Sequence, residues 1–200
     1  MDYNQFKEAI FIKFANEMPV AYAYHGLHHT QYVLDACERY IDMLNLNDED
    51  SIILRVAALL HDIGLIWSYD DHEEASILYA REILPHWGFK DDPITQICKM
   101  VASTKIPQHP TDLLSQILCD ADLDYLGTSD FYPIGQTLFK EFLNIGLVKN
   151  EYEFDLVQIK FLLSHQYHTE FAKKYREPIK KSHLNSLIAK RHYKVSNSLL

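Results

Sequence analysis

The chain of 200 residues is short of glycine (6), proline (7) and cysteine (3). So little glycine and proline excludes collagen-like, linker-like and disordered chains, and argues against the many tight turns of an all-β fold. Cys37, Cys98 and Cys119 are odd in number and scattered, with no CxxC pair, the pattern of a reducing compartment rather than a disulfide scaffold. Long apolar runs are missing as well. The longest stretch without Asp, Glu, Lys or Arg, Met18 to Leu34, holds Pro19, Gly26 and three histidines, which excludes it as a membrane span. Asp2 and Lys7 interrupt the N-terminus, so no signal peptide is read there. Lys and Arg do not cluster until the C-terminal part, and the net charge is −9. Nucleic acid and membrane are therefore not expected as partners. Repeats and low-complexity segments are absent. The expectation is a cytoplasmic protein.

What the chain does have is helical periodicity. Phe6, Ile10, Phe14 and Met18 recur at steps of four and stop before Pro19. A second helix is marked from about His28 to Leu44. Asn47 caps a third, with Asp50 three residues on. That helix, through Ile52, Ile53, Val56, Leu59, Leu60 and Ile63, is apolar almost all round and is expected to be central and buried. Asp71 with Glu74 reads as a capping box for a fourth helix running towards Gly88. Further helices are expected over 91–103, 113–123, 130–146 and 153–167, followed by a basic helical tail read as solvated. No period-two segment remains. The fold expected is all-α, a bundle of about eight helices in one domain, 1–200.

Eleven histidines are many for this length, and their positions are informative. Three polar clusters interrupt apolar helices: Tyr24-His25-Gly26-Leu27-His28-His29-Thr30, Leu59-Leu60-His61-Asp62-Ile63-Gly64 and Asp120-Ala121-Asp122-Leu123-Asp124. His61-Asp62 closes the most hydrophobic helix, where an ionised carboxylate without a partner is costly. Imidazole plus carboxylate suits a divalent metal ion. One dipeptide cannot fill a coordination sphere, and His29 and Asp122 on other helices are of the right type. A lone His-Asp pair is commonly just a hydrogen-bonded core pair; three such clusters together are harder to read that way.

The order His29 … His61-Asp62 … Asp122 resembles the HD superfamily of metal-dependent phosphohydrolases, over a motif core of 24–127 with 128–200 as a C-terminal helical extension. The resemblance implies an all-α helical bundle and His29, His61, Asp62 and Asp122 as metal ligands. Some small bacterial relatives look similar in the Ser103-Thr104-Lys105-Ile106-Pro107-Gln108 stretch. The chain departs from the cyclic-dinucleotide phosphodiesterases, which have lysine where Leu65 stands, and from the alarmone hydrolases, whose Glu-Asp pair is replaced by Leu65-Ile66-Trp67-Ser68. Dinuclear relatives add two histidines; His72 is available as the first, whereas the second has no clear counterpart. One ion is favoured and two left open, drawn from Mn, Fe, Ni, Zn and Mg.

The function expected is hydrolysis of a phosphoester or phosphoanhydride in a small phosphorylated substrate, a nucleotide or related metabolite, by water activated on the metal. Asp62 or Asp122 is the candidate to orient that water. His72 or Glu73 is the candidate proton donor to the leaving oxygen, and Lys105 the neutraliser of phosphate charge. The bland readings are a helix-dipole role for Glu73 and solvated positions for His72 and Lys105. Trp67 and Tyr69 are expected either to stack on a base or to wedge their loop onto the core. The alternative function is a non-catalytic nucleotide- or metal-binding module on the same scaffold. A structural metal is disfavoured because no cysteine falls in the motifs.

Overall fold

The chain is described as a computed structural model covering residues 2–197. Among the described residues there are ten α-helices, three 3-10 turns and no strand. They divide into two compact units, Met1–Leu123 and Asp124–Leu200; the motif core read from the sequence ends at 127, four residues beyond this division.

The first unit holds α1 (Tyr3–Glu17), α2 (Leu27–Leu44), α3 (Asp48–Leu60), α4 (His72–Ile83), α5 (Asp91–Thr104) and α6 (Leu113–Asp122). Helix α3 packs against α1, α2, α5 and α6. Its run Val56-Ala57-Ala58-Leu59-Leu60 is wholly buried, as an all-round apolar helix requires. Asn47 starts it: the Asn47 side-chain oxygen accepts from the Asp50 amide at 2.9 Å. The neighbours contribute one apolar face each, such as Phe6, Ile10 and Phe14 from α1.

The expected run of α3 to Ile63 is not what forms. The α-helix stops at Leu60, and a 3-10 turn follows at Ile63–Ile66. The Leu65 amide donates to the Asp62 carbonyl at 3.1 Å, a tighter i→i+3 bond. The Ser76 hydroxyl of α4 donates to the His61 carbonyl and accepts from the Gly64 amide, each at 2.8 Å. Gly64 permits this docking: a Cβ there would lie 2.0 Å from the His72 carbonyl oxygen and 2.6 Å from the Ser76 nitrogen. The capping box expected for α4 is not formed either. Asp71 makes no cap bond; Asp71 and Glu74 instead take the Lys105 ammonium, at 3.5 and 2.9 Å.

The second unit begins with a 3-10 turn (Asp124–Gly127) and continues through α7 (Phe131–Asn144), α8 (Glu151–Ser164), α9 (Glu170–Tyr175) and α10 (Glu177–Asn197). Helix α8 starts and stops earlier than its periodicity suggests. Asn150 caps it, accepting from the Glu153 amide at 3.0 Å, and His165 to His168 fall in a loop. The basic tail is solvated only in part: Lys173, Lys174 and Lys181 are exposed, whereas other cations pair with carboxylates. Lys180 is buried, held by Glu177 at 2.8 Å and by the His165 carbonyl at 2.6 Å. Arg191 and Lys190 both contact the buried Asp155. Arg176 grips buried Asp124 with two hydrogen bonds, 2.6 and 3.3 Å. Apolar packing alone does not hold this unit; its cations neutralise carboxylates that its helices bury.

Because Asp124 is 1% exposed, Arg176→Ala leaves a buried charge without its bidentate partner. The expected cost is about 3–5 kcal/mol, read as a lowered urea midpoint. A loss no larger than that of an exposed control such as Lys174→Ala would refute this account of the second unit.

Candidate metal centre

Four side chains meet at the ends of three helices of the first unit. His29 lies in the first turn of α2, His61 and Asp62 immediately follow α3, and Asp122 is the last residue of α6. The His29 Nε2 lies 3.0 Å from Asp122 Oδ1 and 3.3 Å from Asp62 Oδ2. The His61 Nε2 lies 3.2 Å from Asp62 Oδ2 and 3.6 Å from Asp122 Oδ1. The two Nε2 atoms are 3.3 Å apart. His29, His61 and Asp62 are buried, and the Asp122 side chain is 15% exposed. The side of the cluster at Asp122 is therefore the wetter one.

The orientation of His61 is fixed from behind. Its Nδ1 is 2.8 Å from the Ala58 carbonyl, an acceptor only, so Nδ1 carries the proton and Nε2 presents its lone pair to the cluster. A ligating imidazole commonly makes such an outer hydrogen bond. Two facing imidazole nitrogens are awkward by themselves: both neutral, their lone pairs oppose each other; both protonated, their charges do. A cation between them and the carboxylates satisfies all four groups. The separations fit that role. Ligand bonds of about 2.0–2.2 Å place neighbouring donors about 2.8–3.6 Å apart, from octahedral to tetrahedral geometry. His29, His61 and Asp122 each offer a ligand atom within 4.8 Å of the others, and a donor set of nitrogen and carboxylate oxygen suits a divalent ion.

Without an ion, the four groups polarise one another. Burial alone would push His29 and His61 down and the carboxylates up. The nearby Asp62 and Asp122 charges and hydrogen bonds overcome this and raise both histidines, His61 well above its ordinary value. The same contacts hold Asp62 well below the usual carboxylate range and draw Asp122 down to about 2.

A second polar group adjoins the first. The His72 Nε2 is 3.5 Å from Asp62 Oδ1 and 3.4 Å from Glu73 Oε1. The His72 Nδ1 donates to the Tyr69 carbonyl at 2.9 Å. Glu73 is buried in the first turn of α4, and its Oε2 has no hydrogen-bond partner among the described residues. Asp62 thus serves both groups, one carboxylate oxygen to each. Lys105 is not brought here; its exposed ammonium sits on Glu74 and Asp71. Trp67 also turns away, packing on Tyr79 at 5.2 Å with Lys13 over both rings. Tyr69 is the loop aromatic that faces the site, 6.1 Å from the His25 ring.

Two further residues lie close to the cluster. His25 is half-buried, its ring 5.8 Å from His29 and 6.3 Å from His72, whereas its neighbour His28 is exposed. Ser76 holds the strand of backbone that carries His61 to Gly64. Its signal was available: Glu73, Ser76 and Ala80 share the buried stripe of α4, and a serine in such a stripe needs a partner.

The sequence model of the family described as "HD domain" matches residues 26–124, a span that includes all four ligand candidates. A solved structure described as a predicted HD superfamily hydrolase, from an uncultured Thermotogales bacterium, aligns with a TM-score of 0.60. It covers 96% of this chain and 92% of that chain at 21% identity, and at that identity the likeness is one of fold. No curated protein matches the chain.

Two measurements check this centre. First, bound metal needs neutral imidazoles, so it competes with the protons that the raised pKa values retain. In the metal-free protein the histidine contribution to stability is present below about 6.5 and fades as pH rises through the raised folded values. The carboxylate contribution is present above about 3.9 and fades as pH falls through their lowered values. Affinity for Zn²⁺ or Mn²⁺ is expected to rise across neutral pH, with protons released on binding. Calorimetry in buffers of different ionisation enthalpy reads this directly, and buffer-independent heats would contradict it. Second, Ser76→Ala is expected to cost about 1–3 kcal/mol and to weaken metal binding about 10–100-fold. Unchanged affinity in the folded variant would show that the staple does not position the ligands.

Proposed function

The chain belongs to the HD superfamily, and from that membership we propose that it is a metal-dependent phosphohydrolase acting on a phosphoester or phosphoanhydride of a nucleotide or related small phosphorylated metabolite. The observation that carries the reading is the convergence of His29 and His61 on Asp62 and Asp122, at four separations of 3.0 to 3.6 Å. Three helix ends spend buried charge on one point beside the wetter Asp122. A divalent ion held there by these four residues supplies an acidified water and a Lewis acid for the phosphoryl oxygen. We favour a single ion, with Asp62 Oδ1, His72 and Glu73 as the place where a second would bind.

The chain's own groups do the rest. Asp62 accepts a hydrogen bond from the attacking water and fixes its approach. His72 has its Nδ1 proton committed to the Tyr69 carbonyl, so Nε2 is the nitrogen that can pass a proton to the leaving oxygen. Glu73, at 3.4 Å from that nitrogen, keeps the ring in place and can share the proton. His25 adds a second imidazole at the mouth. Lys105, tied down at the surface, is left out of the chemistry.

Purified full-length protein is expected to hydrolyse p-nitrophenyl phosphate, bis(p-nitrophenyl) phosphate or a nucleotide only after divalent metal is added. His61→Ala and Asp122→Asn are expected to abolish turnover together with metal binding. His72→Ala is expected to keep the metal and lose about 100-fold or more in kcat. Metal bound tightly with no turnover across these substrates would favour the non-catalytic binding module instead.

A further inference from the structure

A cavity of about 210 Å³ lies between the end of α1 and the start of α2, lined by Phe14, Met18, Pro19, Tyr22, Ala23 and Tyr24 among others. Among the described residues that line it there is no Asp, Glu, Lys or Arg. Its wall is aromatic, aliphatic and thioether, with phenol hydroxyls and the His25 and His28 imidazoles as the polar groups. Two of the lining side chains, Tyr24 and His25, are also neighbours of the candidate metal centre, and a third, Tyr22, is linked to them through Tyr69. The Tyr24 ring is 4.6 Å from His29, His25 is 5.8 Å from His29 and 6.3 Å from His72, and Tyr22 packs at 5.2 Å on Tyr69, which in turn lies 6.1 Å from His25.

We propose that this cavity is the subsite for the uncharged ring portion of the substrate, a nucleobase or base-like aromatic group, whose phosphoryl group reaches the metal centre past His25. The inference rests on the phosphohydrolase reading for the phosphoryl end, while the cavity itself argues for the other end. An apolar pocket with a few polar groups at its margin suits a flat neutral ring. Tyrosine faces provide the stacking surface, and such contacts discriminate poorly between bases. The size sets an upper bound. Pockets for drug-sized ligands run to about 300–1,000 Å³, so this one takes a single base and not a dinucleotide. The uncharged lining also disfavours a second phosphate inside the cavity, because a buried anion needs a counter-charge.

The test uses two variants outside the metal ligands. Ala23→Phe fills the cavity. Ala15→Trp does so from the α1 side of its rim, where Ala15 is exposed and its replacement does not burden folding. Adenosine and uridine, which carry no phosphate, are titrated into the full-length wild-type protein and observed by NMR. Shifts are expected at the amides of Ala15, Ala23 and Gly26, and both folded variants are expected to lose them. In turnover assays both variants are expected to raise KM for nucleoside monophosphates about tenfold or more, with KM for glycerol phosphate and kcat near wild type. Nucleoside binding without any hydrolysis would remove the phosphohydrolase reading and leave the subsite standing. Hydrolysis with no nucleoside-induced shifts at these amides, or variants whose shifts and KM match wild type, would overturn the subsite.

Discussion

The architecture of the first unit turns on burying Asp62 beside two imidazoles. A carboxylate 4% exposed at the end of the most apolar helix is tolerable only when cationic or hydrogen-bonding groups surround it. In the metal-free chain Asp62 and Asp122 raise the pKa of both His29 and His61, and a divalent ion would meet the requirement more completely. The four donors arrive from three helices: α2 for His29, the end of α3 for His61 and Asp62, and α6 for Asp122. The three helices therefore have to pack in one register for the charge to be balanced, and the packing of α3 against α2 and α6 supplies it.

That register depends on stopping α3 in the right place. His61 keeps α-helical dihedrals, and the backbone leaves the helix at Asp62 (φ −108°, ψ 5°). The 3-10 turn at Ile63–Ile66 and the Ser76 hydroxyl, bonded to the His61 carbonyl and the Gly64 amide, tighten the chain there. Both side chains then address one point. Gly64 is the geometric partner of this arrangement, since any side chain on it would run into the backbone of α4. The same docking brings His72 and Glu73, the first residues of α4, up to the second oxygen of Asp62.

The second unit shows the same principle in a setting without candidate ligands. Asp124, Asp155 and Lys180 are all buried, and each is matched by an opposite charge within its own unit. Within the basic tail, Lys190 and Arg191 are the counter-charges of Asp155 on α8 and Lys180 pairs with Glu177 of its own helix, while Lys173, Lys174 and Lys181 stay exposed. Helical periodicity does not reveal this, because Lys and Arg bury their stems and pair their heads whichever face they occupy.

Much of the fold was legible because it is local. Steps of four in Phe6, Ile10 and Phe14, an asparagine cap at Asn47 and the all-round apolar character of Ile53 to Leu60 favour helices locally, and the helices formed. The candidates His29, His61, Asp62 and Asp122 also stood out as polar residues inside apolar segments, and the structure brings their side chains together. What the tertiary structure alone decided is everything that depends on a distant partner. It ended α3 at Leu60 rather than Ile63, turned Asp71 and Glu74 from a cap into a seat for Lys105, and buried Glu73 beside His72. It also sent Tyr69 rather than Trp67 to the mouth of the site and gave Ser76 and His25 their places. The physical reason is range: helix formation is settled among residues within four positions of one another, whereas burial, charge pairing and convergence on one point are settled by groups that only the packed chain brings into contact.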